Sequence, residues 1–563
     1  MNDINQKVFD YITAMVLTSH GLVELADRDP LSPTYGCFYY PYWRSKSSDY
    51  VNARCQEAAY TLALIYKNDY PGVDCSGREE IKELAVAGAL FWASLQHSDG
   101  SFDEWYAGEH GFAATAFSSF ALSETLSLLR GELSLGECEV LTNALAAAGR
   151  WLCKHDDLDK INHEAVGAAA LYSLGKTLGE VQFIEDAERK VKLVLERQTK
   201  EGWFPELGGL DTGYSFLTLE YLSQCYLHSR DDGLKDALDR TLEFLSYFVH
   251  PDLTTGREYN LCGNSYISLL AGAIMGEFSP RARSLFTAGI NQGNAMVQLA
   301  QDDLSRCYHL YNGLLAYDYY RKNEGVWDQD RRELPFKSAP FRRFFPESGL
   351  AAVKTARYYA VSAGKSGGLV KVFPKGGNLS FQDRGYTLRV PDQGSRSSFR
   401  FGPDNTVSWS DEGQMKVNAS FRGSSYFFPH PLARLVLKIV SRLPGGYLIV
   451  KKGIDFIRQR KNASFQLTAV SGRASSRMLK RVIIFQEESV RILDEISGEA
   501  EDGSLRAMIE VEVKTNGLIS AHPVSGDAGR LSEILRESGE ARIEKEITPR
   551  SDRVDVTTSI FGT

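Results

Sequence analysis

Two periodicities divide this chain. Through the first 330 residues apolar positions recur at helical spacing, in Gln56–Tyr66, Ala113–Leu129, Ala165–Leu174, Ser215–Tyr226, Tyr266–Met275 and Leu310–Tyr320. These stretches are apolar nearly all round and read as inner helices. Between them Ile81–Gln96, Leu141–Cys153, Asp186–Gln198 and Leu234–Val249 are amphipathic and read as outer helices. Counterparts near residues 110, 163, 214 and 266 set a repeat of 51 to 53 residues, right for helical hairpins with long loops. Such hairpins close into an (α/α) toroid, and the small residues of AATAF, AVGAAAL and LLAGAIMG suit a crowded inner ring. Polar, Gly-containing loops precede the inner helices, most clearly in GWFPELGGLDTGYSFLTLEY (202–221). Their ends read as the rim of one cleft.

Beyond residue 345 the period changes to two. TARYYAVSA, LVKVF, YTLRV, TVSWS, MKVNASF, RVIIFQ, SVRILDEI and AMIEVEV read as strands separated by Gly, Asp and Asn turns, the pattern of an antiparallel β-sandwich. The predicted fold is therefore multidomain α and β. An (α/α) toroid spans 1–330, a charged, Pro-containing linker 331–345, and a β-sandwich 346–563. Residues 430–461 interrupt the strands and read as two short basic amphipathic helices around Pro444, a composition that suits an anionic membrane surface or packing on the rest of the protein.

Charge changes this picture. Residues 1–330 carry 27 Lys and Arg against 47 Asp and Glu, whereas residues 331–480 carry 27 against 8. The basic block points to an anionic partner, or to a face that complements the acidic half. It has no nucleic-acid fold signature, so no nucleic acid is expected. The eight cysteines show no CxxC or other metal spacing. The N-terminus lacks a basic start with an apolar core, so the expected location is cytoplasmic, with a peripheral seat on the inner membrane through 430–461. Ala363-Gly-Lys-Ser366 lacks the first glycine of a phosphate-binding loop, and neither a cofactor nor a metal is expected.

Two loops match each other, Gln96-His-Ser-Asp-Gly-Ser-Phe102 and Gln198-Thr-Lys-Glu-Gly-Trp-Phe204. They resemble the QW turns of terpene cyclases and read as structural. Four longer stretches, SDGSFDEWYAGEHGFAATAF (98–117), INHEAVGAAAL (161–171), 202–221 and RRFFPESGLAAVKTARYYAVSAGKSGGLVKVF (342–373), resemble the heparinase II/III-like polysaccharide lyases over nearly the whole chain. The insertion looks like one in relatives encoded among bacterial surface-polysaccharide genes. The resemblance implies a toroid cleft that binds an acidic polysaccharide. There Asn162 and His163 take the place of the family's carboxylate-neutralising Asn/His, and Tyr214 that of its proton-transfer Tyr. The family's sandwich histidines have no counterpart beyond His430 and His522, which lack the expected surroundings.

The expected reaction is β-elimination on a uronate-containing glycan. It needs the uronate carboxylate neutralised, the C5 proton removed and the enolate-like intermediate stabilised. Tyr214, His163 and His110 are the candidate catalytic residues. Asn162, Glu109, Asp211, Arg257, Tyr259, Trp105 and Arg384 are the candidate substrate ligands, with weaker claims for Trp409 and His309. The rim is also rich in carboxylates, Asp103, Glu104, Glu109, Glu206, Asp211 and Glu258. A glycoside hydrolase using Glu109 with Asp211, or Asp103 with Glu206, is therefore a rival. A uronate C5-epimerase and a non-catalytic glycan-binding protein of surface-polysaccharide assembly are the others.

Overall fold

Up to residue 326 helix follows helix, with one small hairpin between them, and the long run of strands begins at Phe341. The structure is a computed structural model describing residues 3–71, 75–259, 266–291, 302–327, 331–376, 379–390, 394–402, 404–425, 431–443, 445–450, 452–453, 470–498, 505–515, 518–521, 525–550 and 553–562. The helices alternate between two shells. The inner ones are α3 (Ala58–Lys67), α5 (Phe112–Leu129), α7 (Ile161–Leu178), α9 (Thr212–Ser229), α11 (Leu269–Met275) and α13 (Asp303–Lys322). They touch in the cyclic order α3, α5, α7, α9, α11, α13 and back to α3, which closes the ring. Outside them lie α1 (Asp3–Leu25), α4 (Glu79–Ser94), α6 (Leu135–Lys154), α8 (Val181–Leu195), α10 (Asp232–Ser246) and α12 (Pro280–Asn291); α2 (Tyr40–Trp43) is a single turn.

The ring closes because its inner face is small and apolar. Ala165, Val166, Ala168, Ala169 and Ala170 of α7 are buried on every side, and a Cβ at Gly167 would meet the Phe112 ring at 2.9 Å. Outer helices bury one face each, such as Leu234, Leu238, Leu242 and Leu245 of α10. Side-chain caps start the helices: Ser134 and Glu137 form a capping box on α6, and Asp211, Asp231, Ser268 and Asp302 cap α9, α10, α11 and α13.

The paired Gln turns fasten neighbouring outer helices. Gln96 Nε2 donates to Gly100 O at 3.0 Å and to Ala144 O of α6 at 2.8 Å. Gln198 Nε2 donates to Gly202 O at 3.1 Å and to Ala237 O of α10 at 2.8 Å. Each loop then passes so close to the next helix that no Cβ fits. One at Gly100 would lie 2.4 Å from Ala147 O, and one at Gly202 2.5 Å from Arg240 O.

The second half is one continuous antiparallel sheet folded into a sandwich. Its strands are β3 (Phe341–Phe345), β4 (Leu350–Lys354), β5 (Tyr358–Ala363), β6 (Leu369–Pro374), β7 (Leu379–Val390), β8 (Gly394–Ser397), β9 (Thr406–Trp409), β10 (Gln414–Ser425), β11 (Val470–Phe485), β12 (Val490–Ser497), β13 (Arg506–Thr515), β14 (Leu518–Ala521), β15 (Ala541–Pro549) and β16 (Val554–Gly562), after a small hairpin, β1 (Pro205–Glu206) and β2 (Gly209–Leu210), in the toroid. The hydrogen-bonded path runs β16-β15-β12-β11-β10-β8-β7-β6-β5-β4-β3, with β13 and β14 joined to β7 and β9 to β10. The stretch expected as linker ends in a strand: β3 pairs with β4, because Phe345 packs against Phe244, Tyr247 and Phe248 of the toroid. Also unforeseen is α15 (Ser525–Glu537), whose Leu531 and Leu535 cover the sheet.

Strands β4–β6 join the two halves. Leu350, Ala352, Tyr359, Val361, Ala363, Leu369 and Phe373 pack into the toroid core. Their alternate neighbours Ala351, Val353, Tyr358, Ala360, Val370 and Val372 pack into the sandwich core. Both faces of these strands are apolar, so this part of the sheet has no face left for water.

The Gln turns generate a stability prediction. Gly202 (φ +101°) is crowded, whereas Gly208 (φ +81°) has nothing within 4 Å of where a Cβ would stand. Gly208→Ala is expected to cost the ~1 kcal/mol of left-handed strain, and Gly202→Ala clearly more. Urea unfolding midpoints check this, and equal losses would refute the close approach.

Candidate active site at the toroid mouth

The loops that lead into the inner helices open at one end of the ring. The first, 97–111, is built around a carboxylate. Asp103 accepts the N–H groups of Gly108 and Glu109, both at 2.7 Å, and of His110 at 3.1 Å, and lies 2.7 Å from His97 Nε2. Glu109 accepts from the N–H groups of Glu104 and Trp105, each at 2.7 Å, and burial lifts its carboxyl to about 7. His110 has φ +53°. Its Nδ1 lies 2.8 Å from Asp99 Oδ2 and 2.7 Å from Ser101 Oγ. Its ring is stacked between His97 at 4.1 Å and Tyr447 at 4.3 Å. With both faces covered and Nδ1 held, His110 supports the loop; the sequence expectation of a catalytic role is corrected.

Other expected ligands are interior as well. Asp211 is fully buried, and its Oδ1 accepts the Tyr214 N–H at 3.0 Å as the cap of α9. Glu206, 2% exposed, accepts both the backbone N–H of Asn162 at 2.7 Å and its side-chain amide at 2.8 Å. Burial pushes the Glu206 carboxyl up to about 8. The Asn162 amide is thereby turned toward Glu206 rather than the cleft. Tyr259 is buried, with its hydroxyl 3.0 Å from His250 Nε2, and the neighbouring Glu258 pairs with Lys371 of β6 at 2.8 Å. The substrate-ligand expectations for Asp211, Asn162, Tyr259 and Glu109 are corrected for one reason: their polar groups hold the backbone or a buried partner. The carboxylates proposed as hydrolytic pairs are the same ones, Glu109 with Asp211 and Asp103 with Glu206.

Arg257 remains exposed, and Trp105 is 59% exposed on the rim. Arg384 is half-buried in β7, its guanidinium 4.9 Å from the Phe399 ring. Trp409 stacks on Phe344 at 5.6 Å and belongs to the sandwich. His430, His522 and Asn260 lie outside the described residues.

The centre of the mouth is occupied by residues the sequence reading did not single out. Arg54, in the 3-10 turn Ala53–Glu57 that leads into α3, sits 3.8 Å from the Phe117 ring and 4.1 Å from that of Tyr308. Its Nε donates to Glu57 Oε1 at 2.8 Å, and Glu104 lies 3.6 Å from Nη1. Burial works against its charge, but the two carboxylates outweigh it and the guanidinium stays ionised. Glu57, fully buried, is pushed up to about 7. Asn52 Nδ2 donates to the Tyr308 hydroxyl at 2.6 Å. The edge of Phe117 meets His163 at 6.2 Å, so a cation and a histidine flank one aromatic ring. His163 Nδ1 lies 2.9 Å from Asp157 Oδ2, and burial lowers its pKa, so it is neutral near pH 7 with Nε2 as the acceptor. Half-buried Tyr214 opens α9. On the far side His309, pushed down to about 4 by burial and by the Arg54 charge, adjoins Tyr266 at 6.3 Å. The Tyr266 and Ser268 hydroxyls both donate to Glu220, which burial lifts to about 7. A charged residue inside the apolar run LTLEYL was the signal for Glu220. Among the described residues no group of three or more His, Cys, Asp and Glu side chains is placed to hold a metal ion.

Residues 33–256 match the family model of the ulvan lyase N-terminal domain. The toroid is similar to that lyase domain over this stretch. No curated protein sequence matches the chain. A mutant chondroitin AC lyase from Streptomyces coelicolor A3 has the same fold, with a TM-score of 0.53 at 9% identity, covering 98% of this chain and 76% of its own. Heparinase III aligns at a TM-score of 0.45 and 10% identity, over 96% of this chain and 86% of its own. Within the polysaccharide-lyase-like match fall Arg54, Glu57, Glu104, Phe117, His163, Tyr214 and Glu220; Tyr266, Tyr308 and His309 follow it.

The raised carboxyl of Glu206 gives a pH test. It titrates at about 8 when folded against 4.5 for the free group. Between those values the folded chain keeps a proton that the unfolded chain has released, so this residue's contribution to stability falls as pH rises. Glutamine retains the acceptor oxygen and does not ionise. Glu206→Gln is expected to gain on wild type by ~2–5 kcal/mol between pH 4.5 and 8, read from urea unfolding at each pH. A difference flat with pH would show that Glu206 ionises normally.

Proposed function

We propose that the protein is a polysaccharide lyase that cleaves a uronate-containing glycan by β-elimination in the toroid mouth. The observation that carries this reading is how the polar groups are used. Backbone N–H groups take up Asp103, Glu109, Glu206 and Asp211, Arg54 takes up Glu57 and Glu104, and hydroxyls take up Glu220, which leaves a fixed cation, a neutral histidine and tyrosines at the centre. A hydrolase needs a facing pair of free carboxyl groups; an eliminase needs a base, an acid and a positive charge. The match to an ulvan lyase domain supports the same reaction class.

In this reading His163 Nε2 takes the C5 proton. The C5–H electrons pass into the carboxylate as an enolate, which the Arg54 charge stabilises. The enolate then collapses to a C4=C5 double bond, the C4–O4 bond breaks, and O4 takes a proton from Tyr214. Exposed Trp105 offers a stacking face for a sugar ring, and Arg257 a charge for the chain beyond it. The described cysteines are free thiols, which supports a cytoplasmic setting and a nascent, lipid-linked or imported glycan as substrate.

The test is ultraviolet absorbance of the unsaturated product on a panel of uronate glycans. His163→Ala and Tyr214→Phe are each expected to lower kcat by ~10²–10⁴-fold, and Trp105→Ala to raise KM with kcat little changed. Because burial lowers the His163 pKa below the ordinary 6.5, the acidic limb of kcat/KM should fall below pH 6.5. Reducing ends released without the absorbance would replace this reading with hydrolysis, and solvent deuterium exchange at C5 without cleavage would replace it with epimerisation.

A further inference from the structure

Helix α14 (Pro431–Ser441) leaves an apolar stripe in the open. Leu435, Val436 and Ile439 share one stripe, which Leu443 and then Leu448 and Ile449 of the helical turn 446–450 continue. All six are 49–64% exposed. The flank of the helix beside this stripe meets the toroid rim. Lys438 and Arg442 pair with Asp49 at 3.2 and 2.7 Å. Ser441 is buried, with its carbonyl so close to Gly108 that a Cβ there would lie 2.3 Å away. Tyr447 stacks on His110. A helix that folded for the benefit of the protein core alone would be turned the other way. A contiguous apolar surface of this kind marks an interaction site.

We propose that this stripe is a membrane-docking surface for a bilayer rich in anionic lipid. Charge and composition favour lipid over protein. Residues 430–461 contain eight Lys and Arg and one Asp. The stripe itself is wholly Leu, Ile and Val, the make-up of an interfacial helix, and lacks the aromatic anchors that dominate protein–protein hot spots. Ion pairing of Lys438 and Arg442 to Asp49 fixes the apolar face outward before any lipid arrives. Because α14 rests on the loops before α3 and α5, docking brings the toroid mouth to the headgroup layer. The inference stands independently of the lyase reading, since its readout is binding rather than turnover.

The test is cosedimentation of the full chain with phosphatidylcholine vesicles, with and without phosphatidylglycerol. Binding is expected to the anionic vesicles alone and to weaken with salt. The double variant Val436→Glu with Ile439→Glu should lose at least ~10-fold in binding, while its circular dichroism matches wild type, because both side chains are exposed. Absence of binding to anionic vesicles, or binding that survives the double variant, would overturn the proposal. So would a dimer in sedimentation velocity that the double variant dissolves, which would make the stripe a contact between copies.

Discussion

Everything in this molecule depends on closing a ring of inner helices. A helix buried on every side must find apolar neighbours left and right, and the last must find the first. Alanine and glycine on α7, and the close approach of Gly167 to Phe112, let the helices crowd together. Outer helices supply the other apolar faces, and the Gln96 and Gln198 turns hold pairs of them in register. Once the hairpins alternate around a circle, the entry loops of the inner helices must gather at one end. The mouth is thus a by-product of closure, and its chemistry comes from residues the loops happen to present there.

The sandwich is joined at that same end. β4–β6 carry one apolar face into each core, so the two halves cannot separate without exposing the face that packs on the toroid. Around this apolar seam Glu258–Lys371 and the Glu201 contacts to the Glu347 and Ser348 N–H groups add directional polar links. Part of the basic excess in the second half answers the acid of the first. Arg481 and Lys545 are instead buried against Asp383 and Asp494 and add nothing to that excess.

The architecture was legible because periodicity reports burial. Repeats of 3.6 and of 2 mark which faces meet the core, and the 51–53-residue spacing exposed the hairpins. The site was less legible because a rim carboxylate looks the same in sequence whether it faces substrate or holds an N–H. Asp103, Glu109, Glu206 and Asp211 proved to be of the second kind. Arg54 escaped notice because its turn lies in the first repeat, before the 110-residue counterpart from which the spacing is counted. Tyr308 lies in the last repeat, and only ring closure makes the two neighbours. His163 and Tyr214 lie in the segments whose likeness to known lyases could be quoted residue by residue.

The contact between Arg54 and Tyr308, with Asn52 bonded to the same tyrosine, has a bearing on biosynthesis. These partners are separated by some 250 residues of chain, and they meet at the seam where the first inner helix finds the last. A ribosome-bound nascent toroid lacking its final hairpin would have the His163 and Tyr214 loops yet no completed cation pocket. The contact of Arg54 with Tyr308 therefore forms only once translation has passed the whole helical half.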